Sequence, residues 1–228
     1  MVLAQQKNSV TNEIYNAVKK QIVTLQLLPG QLLMAQRISE ENGVSRTPVR
    51  EALVRLREEN LLEDAGGHKF RVAEITWKLI DDLYKARILI EPFAVAAVAE
   101  NLTKSQMNVL RKLVNEMERG WQRQDFAASY EADMAFHNKL LEFYGNQVFL
   151  NWMSRIRDQQ QRIRFLSAGS EERMKISLDE HKAILSCLED KDSVGASMAM
   201  ASHLERSRED LLTLKQQEYA VAGRAIIS

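Results

Sequence analysis

The sequence predicts a mainly helical fold: a winged helix-turn-helix of about 75 residues, then an all-α bundle of about six helices. Three observations carry that expectation. A short helix spanning Ser45 to Leu62 follows another helix across a single glycine, Gly43. Two short apolar stretches, Leu61-Leu62 and Phe70-Arg71-Val72, flank the glycine-bearing sequence Ala65-Gly66-Gly67-His68-Lys69. Beyond it the chain keeps helical periodicity and contains one proline, Pro92.

In chain order, Val10, Ile14, Val18, Ile22 and Leu25 recur at helical spacing, and Pro29-Gly30 ends that helix with a turn. Ala35 to Asn42 is a second short helix, closed by Gly43, where a left-handed residue costs little. The third helix begins after Ser45, whose hydroxyl is expected to accept from the free N–H groups of the first turn. Val44 and Val49 suit a hydrophobic staple, and Pro48 falls where its missing N–H costs nothing. At about 100° per residue, Val49, Ala52, Leu53 and Leu56 form one apolar arc. Arg46, Arg50 and Arg57 run beside that arc, with Thr47 further round the exposed side. Guanidinium forks on the open strip of such a helix suit guanine edges and phosphates. A solvated charged face is the plainer reading of the arginines; the cap, the staple and the flanking helix and wing favour DNA. The strand, glycine turn and strand that follow form the wing.

Composition narrows the function class. Lys plus Arg number 31 and Asp plus Glu number 31, so the net charge is +0. A nonspecific nucleic-acid coat would need excess positive charge, whereas an operator-binding dimer needs only a local basic strip. The single cysteine, Cys187, cannot close an internal disulfide and reads as a small buried apolar residue in a reducing compartment. The amino end has no long apolar run and nothing later suits a membrane span, so a cytoplasmic location without membrane contact is expected.

The bundle helices are expected over Trp77 to Asn101, Ser105 to Gln124, Phe126 to Tyr144, Gln147 to Leu166, Met174 to Leu188, and Asp192 past Leu214. Pro92 should kink the first by freeing the carbonyl of Ile88. Gly145-Asn146 ends the third, and Ser167 to Glu171 is a polar loop. The domains therefore divide as 1–75 for DNA binding and 76–228 for the bundle.

Three of the four histidines fall at core-side positions of separate bundle helices. His137 lies one turn after Asp133, on a face shared with Phe136, Leu140 and Tyr144. His181 shares a stripe with Leu178, Leu185 and Leu188, and His203 lies among Met200, Leu204 and Leu211. One reading makes each a hydrogen-bonded core residue. The other gathers all four around a divalent cation, because buried polar groups need partners. Three imidazoles and a carboxylate suit zinc, nickel, manganese or iron(II). Arg87, set in an apolar run, is either the ion-pair partner of Glu91 one turn later or a cavity residue that forks a carboxylate. Of two readings for Arg162 and Arg164, lining the cavity or lying exposed, the exposed one is favoured.

Leu28-Pro29-Gly30-Gln31-Leu32-Leu33 with Val44-Ser45-Arg46-Thr47-Pro48-Val49-Arg50-Glu51-Ala52-Leu53 resembles the amino-terminal domain of GntR-family transcription regulators. The resemblance implies DNA contacts by Arg46, Thr47 and Arg50, with the wing in the minor groove. Two departures bear on base preference. Gln36 stands where many members have arginine, with Arg37 next to it, and Lys69 replaces the usual wing-tip glycine. These residues, with His68 in the wing, complete the expected DNA-facing set. Further on, Tyr84-Lys85-Ala86-Arg87 with Ile90-Glu91-Pro92, Asp133-Met134-Ala135-Phe136-His137, Gly145-Asn146, Glu180-His181 and His203 is similar to the FCD effector domain of the FadR subfamily, in its six-helix, VanR-like branch. That implies a metal held by Asp133, His137, His181 and His203, and an effector, a small carboxylate metabolite, forked by Arg87.

The expected function is thus a homodimeric transcription regulator, acting as a repressor on an inverted-repeat DNA operator under control of a small organic acid bound beside the metal. Two other readings differ in kind. The Asp133 and three-histidine centre would serve a metal-dependent enzyme if a general base stood beside it; Glu180 is the nearest candidate but points about 100° away round its helix. An effector-independent architectural DNA protein would have no use for the bundle's polar interior. The chain is therefore expected not to be an enzyme.

Overall fold

A computed structural model describes residues 2–166 and 171–221, with side chains over 9–154, 156–163 and 172–213. The loop expected over Ser167 to Glu171 lies outside these residues except for Glu171, which opens a helix, and the side chain of Arg164 also lies outside them. The chain forms two units. One runs to Thr76 and includes Asp158–Leu166; the other comprises Trp77–Arg157 and the helices that follow residue 170.

In the first unit, α1 (Val2–Val23), α2 (Ala35–Asn42) and α3 (Arg46–Glu58) precede the strands β2 (Leu62–Asp64) and β3 (Lys69–Val72), and a further strand, β1 (Leu32–Met34), lies between α1 and α2. β1 joins the wing hairpin to make a three-stranded antiparallel sheet in the order β1-β3-β2, with Leu33 opposite Phe70. No strand was expected there: a three-residue edge strand is too short to display alternation. Helix α1 ends sooner than its apolar repeat suggests, because Leu25 takes a left-handed φ of 55°. Gly43 adopts φ 64° and closes α2. Ser45 occupies the cap position of α3 in extended conformation, but its hydroxyl makes no capping hydrogen bond, so the expected cap acts through backbone geometry alone. Helix α3 stops at Glu58 rather than Leu62, since Asn60 turns left-handed at φ 58° and lets Leu61 enter the core. Ile14, Val18, Ile22, Leu33, Val49, Leu53, Leu56, Leu62, Phe70 and Val72 form one core that sets the α3 arginines on the opposite side.

The second unit contains α4 (Trp77–Ala99), α5 (Lys104–Gln122), α6 (Phe126–Tyr144), the first half of α7 (Gln147–Leu166), α8 (Glu171–Glu189) and α9 (Ser193–Val221). Boundaries fall where local chemistry stops each helix. Thr103 and Gln106 make a reciprocal capping box at the start of α5. The Asp125 carboxylate accepts from Ala128 N at 3.1 Å to start α6, and Gly145 ends it at φ 74°. Helix α4 continues through Pro92, which is buried. Helices α4 and α9 pack along each other, α5 packs on α6 and α8, and α8 on α9. Val95, Val98, Leu110, Val114, Phe136, Leu140, Leu178, Ile184, Leu188, Met200 and Leu204 share the core between them. That packing turns one face each of α6, α8 and α9 inward to a common point.

Candidate functional site

Arg46, Thr47 and Arg50 are exposed on α3. Together with Thr11, Asn12 and Arg55 they line a surface groove of about 840 Å³. Arg57, three turns along, faces the wing instead, with Nη1 3.8 Å from Asp64. Gln36 donates to Glu40 at 2.9 Å and Arg37 to Glu41 at 2.7 Å, each along the exposed side of α2. The wing tip is Ala65–His68, closed by Ala65 N donating to the Lys69 carbonyl at 3.0 Å and Gly66 N to Asp64 Oδ1 at 2.9 Å. His68 is exposed with φ 63°, and Lys69 is the exposed first residue of β3 rather than the tip itself.

One residue of the first unit departs from its sequence reading. Arg162, expected on the surface, is 0% exposed. It donates through Nη1 to Gln159 Oε1 at 2.8 Å and through Nη2 to the Ala73 carbonyl at the end of the wing strand, while its Nε finds no partner among the described residues. Burial pushes its pKa down to about 10, which leaves it charged at neutral pH. Nearby in the same unit, Gln159 donates to the Asn60 carbonyl at 3.0 Å and Lys19 pairs with Asp158 at 2.6 Å.

In the second unit the structure brings Asp133, His137, His181 and His203 together, with one ligand atom from each lying within 4.8 Å of the others. Helix α6 contributes Asp133 and His137 from successive turns, α8 contributes His181, and α9 contributes His203. All three imidazoles are buried, and Asp133 keeps 20% of its side chain exposed. The rings pack on one another, His137 stacked on His203 at 5.2 Å and His181 edge-on to His203 at 4.5 Å, with Phe136 edge-on beneath His181 at 5.1 Å.

The hydrogen bonds fix which ring nitrogens carry protons. His137 Nδ1 lies 2.6 Å from Glu91 Oε2. Burial pushes the Glu91 carboxyl up, but Arg87 and His137 outweigh it and hold it far below the usual range, so Glu91 is ionised and only accepts. His181 Nδ1 lies 2.7 Å from the Ser177 carbonyl, which also only accepts. His203 Nδ1 lies 2.8 Å from Glu180 Oε2, a carboxylate that Arg206 and Arg173 also engage. In its neutral form each imidazole therefore donates through Nδ1 and leaves Nε2 bare. His181 Nε2 then sits 3.2 Å from His137 Nε2 and 3.2 Å from Asp133 Oδ1, acceptor against acceptor against acceptor.

Protonation is a poor remedy at His181 and His203. Burial lowers the pKa of His181 despite Asp133, and lowers that of His203 well below the histidine range with help from the other two imidazoles. Burial likewise pushes Asp133 up, but the imidazoles and Arg87 prevail and hold its carboxylate ionised. Three imidazole nitrogens and a carboxylate oxygen facing one point suit a divalent cation, and their orientation by outer hydrogen bonds is how such ligands are held.

Arg87 is buried on α4 and, of the two readings, the structure shows the ion pair: Nε lies 2.5 Å from Glu91 Oε1 and Nη2 3.4 Å from Oε2. Sequence reasoning missed that Glu91 serves both Arg87 and His137. The signal for half of it, the i, i+4 spacing of Arg87 and Glu91, was visible; the other half joins residues 46 apart. It also missed Glu180 as the holder of His203. Tied by two arginines on the outer side of His203, Glu180 is no general base for chemistry at the cluster.

Residues 10–72 match the bacterial regulatory proteins of the gntR family, and residues 82–206 match the FCD domain. The Uxu operon regulator of Haemophilus influenzae is 32% identical over 211 residues, covering 83% of this chain and 77% of the relative. The HTH-type transcriptional repressor RspR of Escherichia coli is 25% identical over 208 residues, covering 91% of each. Among solved structures, Escherichia coli McbR/YncC superposes with a TM-score of 0.76 at 23% identity, covering 90% of this chain and 98% of that one.

Proposed function

Since the chain belongs to the GntR family of bacterial transcription regulators and carries an FCD domain, we propose that it is a homodimeric repressor gated by a metal-bound organic acid. It is a transcription regulator and not an enzyme. In the proposed reading two copies set their α3 helices and wings on the halves of an inverted repeat. Arg46, Thr47 and Arg50 read base edges and adjoining phosphates, while His68 and Lys69 serve the wing. Gln36, Arg37 and Arg57 lie within the same expected set, each beside an acidic neighbour in the free chain.

The reading of the second unit rests on one observation: bare His181 Nε2, His137 Nε2 and Asp133 Oδ1 meet at 3.2 Å with His203 alongside. Zinc, nickel, manganese or iron(II) fits that set. When bound, such an ion offers open coordination positions to the oxygens of a small carboxylate. Arg87, charged and buried one helix away, supplies a fork for the ligand's carboxylate by sharing its guanidinium with Glu91. The acid shifts operator affinity only by as much as its own affinity differs between the two arrangements of the dimer.

Dimer formation is supported by an apolar face. Leu89 and Phe93 on α4 are 78% and 57% exposed, as are Val148 and Trp152 on α7 at 54% and 57%. Phe93, Tyr144, Phe149 and Trp152 run ring to ring at 5.7–6.3 Å, making the patch continuous. A patch of that kind marks an interface. Repression follows the similarity to RspR. No described helix is long and apolar enough to cross a membrane.

The test is a metal-stripped chain reloaded with zinc, melted with and without a panel of small organic acids, and titrated onto DNA from upstream of its own gene. At about a hundredfold over Kd, the ion should stabilise the protein by about 2.7 kcal/mol. Equal melting of stripped and reloaded protein would falsify the metal reading. Operator affinity unmoved by every acid that shifts melting would overturn the gating.

A further inference from the structure

The three imidazoles are held through Nδ1 by partners of different kinds. A backbone carbonyl, that of Ser177, holds His181 at 2.7 Å, with the Ser177 hydroxyl more distant at 3.5 Å. Glu180 holds His203, but its other oxygen is taken by Arg206 at 2.6 Å on the open side of α9. Glu91 differs from both. Its side chain is 3% exposed, it accepts from His137 at 2.6 Å and from Arg87 at 2.5 Å, and so it joins a cluster imidazole to the buried arginine.

We infer that Glu91 is a positioning residue that ties the cation site to Arg87, fixing His137 with Nε2 toward the cluster while neutralising the guanidinium. The inference rests on the metal reading above and adds a sign to it. A carboxylate on Nδ1–H makes the opposite nitrogen a stronger donor to a cation. Arg87 draws part of that carboxylate's charge away, and it does so out of reach of salt screening because both groups are buried. Glu91 therefore favours the cation and Arg87 opposes it through the same two oxygens. An anion that engages Arg87 releases Glu91 toward His137, so anion and cation binding reinforce each other reciprocally.

The signs separate this from a mere structural brace, in which loss of either partner would weaken the site. Cobalt(II) affinity of the full chain would be measured by competition with a chromophoric chelator for wild type, Glu91→Gln, Arg87→Met and the double variant. E91Q is expected to bind cobalt(II) about ten- to a hundredfold more weakly. R87M should bind at least as tightly as wild type, and the double variant should fall between the two. In cobalt(II)-loaded protein the paramagnetically shifted ring N–H resonance of one imidazole should move in E91Q while the other two stay. Should E91Q fail to fold, the double variant against R87M isolates Glu91 with no buried arginine left alone; about tenfold weaker binding is expected. E91Q within twofold of wild type, or R87M weakened as much as E91Q, overturns the inference while the metal reading stands. Wild type taking up no cobalt(II) removes both.

Discussion

Gly120 lies on α5 where it crosses α6, and a methyl group there would stand 2.6 Å from Ser129 N and 2.8 Å from its Cα and Cβ. Ordinary contact begins near 3.4 Å, so Gly120→Ala must push the start of α6 outward by about 0.8 Å. The obstacle is backbone, which cannot rotate aside, and it is braced by Ser129 Oγ donating to the Met117 carbonyl at 3.0 Å. Overpacking of this sort costs about 3 kcal/mol, at the upper end of its usual range. Against it, alanine in a helix interior gains about 1 kcal/mol over glycine. The net expectation is about 2 kcal/mol of destabilisation, or a melting point lower by roughly 4–8 °C for a chain of this size. Differential scanning calorimetry of the full chain reads it directly. A G120A protein as stable as wild type, or more so, would show that propensity wins and that α5 and α6 are not in backbone contact; the placement of Asp133 one turn further along α6 would then lose its support.

Three other outcomes follow from the same contacts. Arg162→Ala removes a fully buried side chain and strips donors from the Ala73 carbonyl and Gln159 Oε1, which should cost about 2–3 kcal/mol in urea unfolding; an unchanged midpoint would return Arg162 to the surface. For metal-free protein, His181 and His203 have folded pKa values below the unfolded 6.5, so the unfolded chain takes up protons first; stability present above that pH should fall as pH drops through it, and melting points that rise on acidification would contradict the buried neutral imidazoles. On DNA, Arg50→Ala should cost about 1–3 kcal/mol and relax base preference, while Lys69→Ala should weaken binding evenly across sequences and reduce the salt slope by about one; exchange of these two patterns in fluorescence anisotropy would reverse the assignment of helix and wing.

Much of the architecture was legible because long amphipathic repeats leave little choice. The limits of α6 and α7 fall at the residues where periodicity meets Tyr144-Gly145-Asn146-Gln147. The four cluster residues were visible as core-side polar groups for the same reason. What escaped depends on partners far along the chain. Arg162 looks like surface charge until the Ala73 carbonyl, 89 residues away, arrives beside it. β1 exists only because β3 offers it a ladder, and Glu91 looks like a simple helix ion pair until His137 comes into place. Ser45 shows the converse: the local signal was right about where the helix starts, yet the hydroxyl does not make the bond that usually justifies the signal.

Helix α7 belongs to both units, since Met153 packs in a core with Ala94 and Leu141 while Asp158–Leu166 completes the amino-terminal unit. The amino-terminal unit is consequently not continuous in sequence. A fragment cut after Thr76 would lack the arginine that closes the end of its own wing strand and the aspartate that answers Lys19. A chimera grafting a foreign DNA reader onto this bundle would inherit a helix end shaped for a different neighbour. Exchange of readers between relatives should therefore succeed when the second half of α7 travels with the reader.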